Sequence, residues 1–291
     1  MIFEGWAARL DAVPGTISVY AGALDAPPAW TRHPEATHYA ASTMKLAVLA
    51  ALHRVAENGG PDLDTPIEVT DRFTSAAPDA AGFSCAREYD NDSLVWERLG
   101  RRVSPRWLAE RMIVRSSNLA TNLLIQQVGL AAVAEVWACV GARHSVTGRG
   151  IEDFAAREAG ISNLVTAADL AALLDAIATG ATRAGTLASP AGCAAMLEVL
   201  CAQQIRQDIA EGLPAGTRLA HKNGWVRGVR HGAAVVFPDD AAPYLLVVCT
   251  TTPLGEHQRS TEADIEARRL IADISAGVWQ ARHDLTATDP R

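Results

Sequence analysis

Strand-like sequence lies near the two ends of this chain, and that placement constrains the fold more than any other feature. "GTISVYAGAL" (15–24) opens after Pro14-Gly15 with β-branched, loosely alternating residues and predicts a strand. "RHGAAVVF" (230–237) and "YLLVVCTTT" (244–252) predict two more, separated by the turn signal "PDDAAP". A strand must pair. Strands from opposite ends of the chain can pair with each other in one sheet, and the middle of the chain then becomes an insertion.

That middle reads as helices. Residues 42–57 carry Met44, Leu46, Val48, Leu49 and Leu52 as a broad apolar surface, and "ENGG" ends the run. "SPRWLAERMIVRS" (104–116) starts with Ser104 as N-cap and Pro105 at the first helical position. "SNLATNLLIQQVG" is stopped by Gly129 and "LAAVAEVWACVG" by Gly141. "TAADLAALLDAIATG" starts at Thr166 with Asp169 three residues on, a relative of the capping box. "SPAGCAAMLEVLCAQQI" (189–205) repeats the Ser-Pro start, and "TEADIEARRLIADISAGVWQ" (261–280) is an amphipathic terminal helix before a frayed tail, "RHDLTATDPR". The expected division is an α/β sheet domain from residues 1–53 and 188–291, with an all-α domain over 54–187.

Bulk properties exclude several functions. With 291 residues, 49% apolar and 20% charged, the chain can bury a substantial core. A net charge of -7 with no basic block argues against a nucleic-acid partner. No apolar run is long enough to span a membrane. The start, with Glu4 and Asp11, lacks a charged-then-apolar leader pattern, so a cytoplasmic location is expected. Cys85, Cys139, Cys193, Cys201 and Cys249 are odd in number and show no CxxC spacing. They read as reduced thiols, neither a disulfide framework nor a metal site, and no cofactor is expected.

Three short motifs carry chemistry. In "STMK", Ser42 and Lys45 are three apart and share a helix face, so a hydroxyl and an amine come together. A serine hydroxyl needs such a base to become nucleophilic, and a desolvated lysine can act as one. The bland alternative is that Ser42 caps the helix while Lys45 lies on a solvated face. "SSN" (116–118) stands at a helix start, where Ser116 could equally be an N-cap. "KNG" (222–224) leads into the terminal strands.

In this order the motifs resemble the S-x-x-K, S-D-N and K-T-G elements of the class A β-lactamases and related penicillin-recognising serine hydrolases. The flanking words "YAASTMKLAVLAAL", "MIVRSSNLATNLLI" and "AHKNGW" share the likeness, which runs from about residue 15 to 275. It implies a β-lactamase/transpeptidase-like α/β fold: an antiparallel five-stranded sheet flanked by helices, with the all-α domain inserted. It implies Ser42 as the acylated nucleophile and Lys45 as its base. Ser116 would pass a proton to the leaving group, helped by Lys222, and Asn118 would hold Lys45 or the substrate amide. Backbone N–H groups of Ser42 and Trp225 would form the oxyanion hole, and Gly224 would leave room for the acyl group. Asn223 and Arg230 would contact substrate, Arg230 through a carboxylate, although a solvent-facing Arg230 is equally compatible. His221 and His231 flank this region without a placed carboxylate and read as structural.

The chain also departs from the pattern. Ser117 replaces the aspartate of the second motif and Asn223 the threonine of the third. The family's E-x-x-L-N segment, whose glutamate activates the deacylating water, is absent from "GRGIEDFAAREAGISNLVTAADL". Glu152 is the best surrogate there, ahead of Asp153 and Glu158, against the alternative of a solvated acidic turn. The expectation is therefore a serine hydrolase acting on a small-molecule ester or amide, with weak β-lactamase turnover at best. A biosynthetic acyltransferase using the same acyl-serine and an inactive ligand-binding homologue are the rivals.

Overall fold

The strands from the two chain ends do pair. The computed structural model describes residues 4–253 and 261–285. β1 (Thr16–Ala23) and β2 (Trp30–Arg32) come from the N-terminal end. β3 (Arg218–Val226), β4 (Val229–Phe237) and β5 (Tyr244–Thr251) come from the C-terminal end. They form one antiparallel five-stranded sheet in the order β3-β4-β5-β1-β2, with Val19 opposite Val248 where the two ends meet. β3, which carries the "KNG" motif, is an edge strand.

The sheet is covered on both faces. Along β5, Leu246 and Val248 face a cluster with Leu10 of α1 (Glu4–Asp11). Leu245, Val247 and Cys249 face the helices of the middle region. This two-sided burial is why β5 reads as an unbroken apolar run. The middle supplies α2 (Lys45–Glu57), α3 (Pro105–Val114), α4 (Asn118–Val128), α5 (Leu130–Cys139), α6 (Ala167–Gly180) and α7 (Pro190–Cys201). The terminal helix, α8 (Thr261–Gln280), packs Ile271, Ile274 and Val278 beside α1.

Capping chemistry sets the helix starts. Ser104, Thr166 and Ser189 each accept a bond from the backbone N–H three residues on. Gly129, at φ 79°, turns the chain between α4 and α5. Sequence reasoning missed α1, a short polar helix whose one fully buried side chain is Leu10. It also called the tail frayed from 282. Leu285 is buried within the second cluster, and the remainder of that call lies outside the described residues. All five cysteines are unpaired thiols. Among the described residues no single helix is long and apolar enough to cross a membrane.

Asp169 shows how polar bonds brace the middle. Its carboxylate accepts the backbone N–H groups of Arg143, His144 and Ser145, which lie after α5, and it is nearly buried. The second half of a capping box, back to the Thr166 N–H, is therefore not made. Asp169→Ala leaves three N–H groups without their acceptor. It is expected to cost roughly 2 kcal/mol or more, read as a lower urea midpoint at unchanged m value.

Candidate active site

Ser42 lies in a 3₁₀ turn, Ala41–Met44, that runs directly into α2. Neither helical start has a side-chain cap, so the Ser42 hydroxyl is not spent on capping. Ala41, just before it, holds a left-handed backbone at φ 45°. A residue without glycine's freedom costs about 1 kcal/mol there. The surrounding structure must hold that turn in place.

Lys45 is fully buried, which overturns the solvated-lysine alternative. Its Nζ donates to the Ser116 carbonyl (2.7 Å), the Ser116 Oγ (3.2 Å) and the Asn118 Oδ1 (2.9 Å). All three acceptors come from the second motif. Burial lowers the Lys45 pKa to about 7, against the opposing pull of the Asp90 carboxylate and the Cys85 thiol. Ser116, at φ 60°, stands just ahead of the cap. The N-cap of α4 is Ser117, whose Oγ accepts the Ala120 N–H. Ser116 is thereby released from the capping role considered for it.

Asp90 was missed by sequence reasoning. Its Oδ2 accepts the Ser117 hydroxyl (3.1 Å), the Leu119 N–H (2.8 Å) and the Trp96 indole N–H (3.1 Å). The carboxylate lacking at position 117 thus arrives at the same helix start from 27 residues upstream. The neighbouring Tyr89 carbonyl accepts the Asn118 Nδ2, which fixes the Asn118 amide with its oxygen toward Lys45. Nothing local in "REYDND" signals either contact.

The third motif closes the site. Lys222 is fully buried rather than an exposed strand charge, and its Nζ donates to the Asn223 carbonyl at 2.7 Å. Burial, then the nearby Lys45 cation, push its pKa well below the ordinary lysine value. Gly224 abuts the nucleophile turn: a Cβ there would lie 2.6 Å from the Ser42 nitrogen and 3.0 Å from the Thr43 nitrogen. The constraint is close backbone approach, ahead of any crowding of an acyl group. Among the described residues no cluster of His, Cys, Asp or Glu could hold a metal ion.

A model of the β-lactamase enzyme family matches residues 5–281. The chain belongs to that family. Its fold is β-lactamase/transpeptidase-like. A β-lactamase from Sphaerobacter thermophilus is 25% identical, with 96% of this chain and 97% of that one covered at a TM-score of 0.76. The protein PBP-A is 22% identical over 96% and 95%, also at 0.76. A class A β-lactamase from Mycobacterium abscessus is 20% identical over 97% and 99%, again at 0.76. No curated protein matches the sequence.

The other expected residues of this β-lactamase-family site fall in different places. Glu152, at φ 67°, spends Oε2 on the Ala86 N–H (2.8 Å), and its buried Oε1 has no protein partner. Burial raises its pKa. It accepts no bond from Lys45, whose three partners are the oxygens of Ser116 and Asn118. Asp153 is buried and caps a one-turn helix while accepting the Ser75 hydroxyl and the Ala76 N–H, so it is structural. Glu158 is exposed.

Arg230 is not solvent-facing. It is 2% exposed, ion-paired with Asp208 and bonded to Gln207 Oε1 at 2.8 Å. Asn223 donates to the same aspartate at 3.1 Å. His231 Nε2 donates to the Tyr39 carbonyl and its Nδ1 accepts the Thr250 N–H, which suits a neutral ring; burial lowers its pKa to about 4, and it is a structural residue. Trp225 is partly buried, with the Arg230 guanidinium 5.4 Å from its ring centre.

Gly224→Ala must force β3 away from the Ser42 backbone. The expected result is a loss of ~1–3 kcal/mol in stability and at least ~100-fold in the labelling rate of any reagent that reacts at this site. Chemical denaturation and stopped-flow labelling check the two effects separately.

Proposed function

We propose that this chain is a serine hydrolase that forms an acyl-enzyme at Ser42, acts on an ester or amide, and turns over β-lactams weakly or not at all. The observation that carries the reading is Lys45. It is desolvated beside the nucleophile turn, its ammonium bonded to Ser116 and Asn118, with Lys222 near enough to oppose its charge. Two of the three sequence motifs thus meet at one amine, and the third places a second buried lysine near it.

In this mechanism Ser42 Oγ attacks the carbonyl carbon while neutral Lys45 takes its proton. Negative charge on the carbonyl oxygen is met by the N–H groups of Ser42 and Trp225. Ser116 Oγ, in hydrogen-bond reach of Lys45 at 3.2 Å, relays the proton to the leaving group. Lys222 adds positive potential when protonated. The C–O or C–N bond breaks and acyl-Ser42 remains.

Removing the acyl group needs an activated water. No carboxylate bonds Lys45, and Glu152, the sequence-predicted base, has a buried Oε1 without a protein partner. A long-lived acyl-enzyme follows. That persistence also suits a second reading, in which an amine acceptor takes the acyl group in a biosynthetic transfer.

Incubation with a fluorescent penicillin, followed by intact mass and peptide mapping, tests the assignment. The expected result is a stoichiometric Ser42 adduct that persists after excess reagent is removed. An equal adduct in Ser42→Ala, or turnover at an ordinary enzyme rate of ~10 per second, would refute it.

The pH dependence follows from the Lys45 value of about 7. Only the neutral amine accepts the serine proton, so the acylation rate should fall as pH drops. The expected profile falls ~10-fold per pH unit well below the inflection and levels off above it. A flat profile between pH 5.5 and 8.5 would exclude Lys45 as the base.

A further inference from the structure

The polar side chains of β3 and β4 that border the nucleophile's neighbours are already committed to an internal carboxylate. Gly224 touches the Ser42 turn, and Trp225, the next residue, pairs with Arg230 across the β3–β4 ladder. The Arg230 guanidinium stacks on the Trp225 ring. Its Nε bonds Asp208 Oδ1, and its Nη2 bonds Gln207 Oε1. Asn223 Nδ2 bonds Asp208 Oδ2 at 3.1 Å. Asp208 itself is fully buried and held at φ 61°, a backbone conformation kept only where its surroundings demand it.

We propose that Asp208 is a specificity-determining residue: its carboxylate already engages Arg230 and Asn223 on the strands that border the Ser42 turn, so a donor with a carboxylate on its leaving-group side acylates Ser42 more slowly than its uncharged counterpart. The inference rests on the acyl-Ser42 reading. A donor's carboxylate would have to displace Asp208 from a buried, charge-assisted set of hydrogen bonds, or lie near it as a like charge. The two lysines give such an anion little help. Both are buried, Lys45 is engaged with Ser116 and Asn118, and Lys222 with the Asn223 carbonyl. Asp90 adds further negative charge near Lys45.

The test uses two thioesters, phenylacetyl-thioglycolic acid and its methyl ester, each acylation rate divided by that donor's rate with a small free nucleophile, because the esterified thiol is intrinsically the better leaving group. In each, Ser42 Oγ bonds the carbonyl carbon, the C–S bond breaks, and the thiol leaves with the relayed proton. Thiol release and acyl-Ser42 mass give the two acylation rates. The wild-type protein is expected to acylate with the methyl ester at least as fast as with the acid. Asp208→Asn, which keeps the shape and removes the charge, is expected to shift the ratio ~10-fold or more toward the acid.

A wild-type protein that prefers the acid overturns the inference. So does a folded Asp208→Asn variant, checked by circular dichroism, with an unchanged ratio. Asp208→Ala repeats the comparison if the asparagine variant does not fold, and the wild-type ratio decides if neither does. An uncharged fluorophosphonate separates the two levels of the argument. If it fails to label Ser42, the acyl-enzyme reading falls and this inference with it; if it labels Ser42 while the acid is preferred, only the inference falls.

Discussion

A lysine amine with no access to water holds the site together. Lys45 sits at the start of α2, and its three oxygen partners belong to the residues that open α4. Removing an ammonium from water is expensive unless hydrogen bonds replace its hydration. These bonds do so in part, and the remaining cost appears as a pKa near 7. The same contacts therefore hold the helices in register and prepare a base. Lys222 is buried too, and its pKa is pushed well below the ordinary lysine value by burial and then by the charge of Lys45.

Much of this was legible in the chain. The caps at Ser104, Thr166 and Ser189, the breaks at Gly129 and Gly141, and the apolar run of β5 are local signals, and local chemistry decided them. The three motifs were legible as a set because their order carried information that each lacked alone. What escaped was made by distance along the chain. Asp90 supplies a carboxylate to the α4 start, and Asp208 engages Arg230 and Asn223. Neither aspartate looks unusual among its sequence neighbours. Each acquires its role from a partner that the fold brings to it.

Glu152 is the instructive case between these extremes. Its position after Asn118 in sequence was about right for a base, yet a left-handed backbone turns its carboxylate onto the Ala86 N–H. The backbone around it is pinned by two side-chain amides, which bond its N–H and carbonyl groups and not the side chain at position 152. Asn122 bonds both the N–H and the carbonyl of Ile151, and Asn163 accepts the N–H groups of Gly148 and Arg149. The loop is thus built to hold its path while the chemistry of its side chains varies.

Backbone strain is found at several of these places. Of seven non-glycine residues with positive φ among the described residues, four lie here: Ala41 in the Ser42 turn, Ser116 in the second motif, Glu152 in the loop segment and Asp208 against β3 and β4. Each costs on the order of 1–3 kcal/mol, which a fold keeps only where packing over-determines the conformation. The strain at Ala41 and Ser116 flanks the Ser42–Lys45 pair. That at Glu152 accompanies a carboxylate turned onto the Ala86 N–H, and that at Asp208 one paired with Arg230. Neither carboxylate bonds Lys45. Under the acyl-Ser42 mechanism proposed above, the lifetime of the acyl group would therefore depend on what acceptor reaches it, more than on a base beside Lys45.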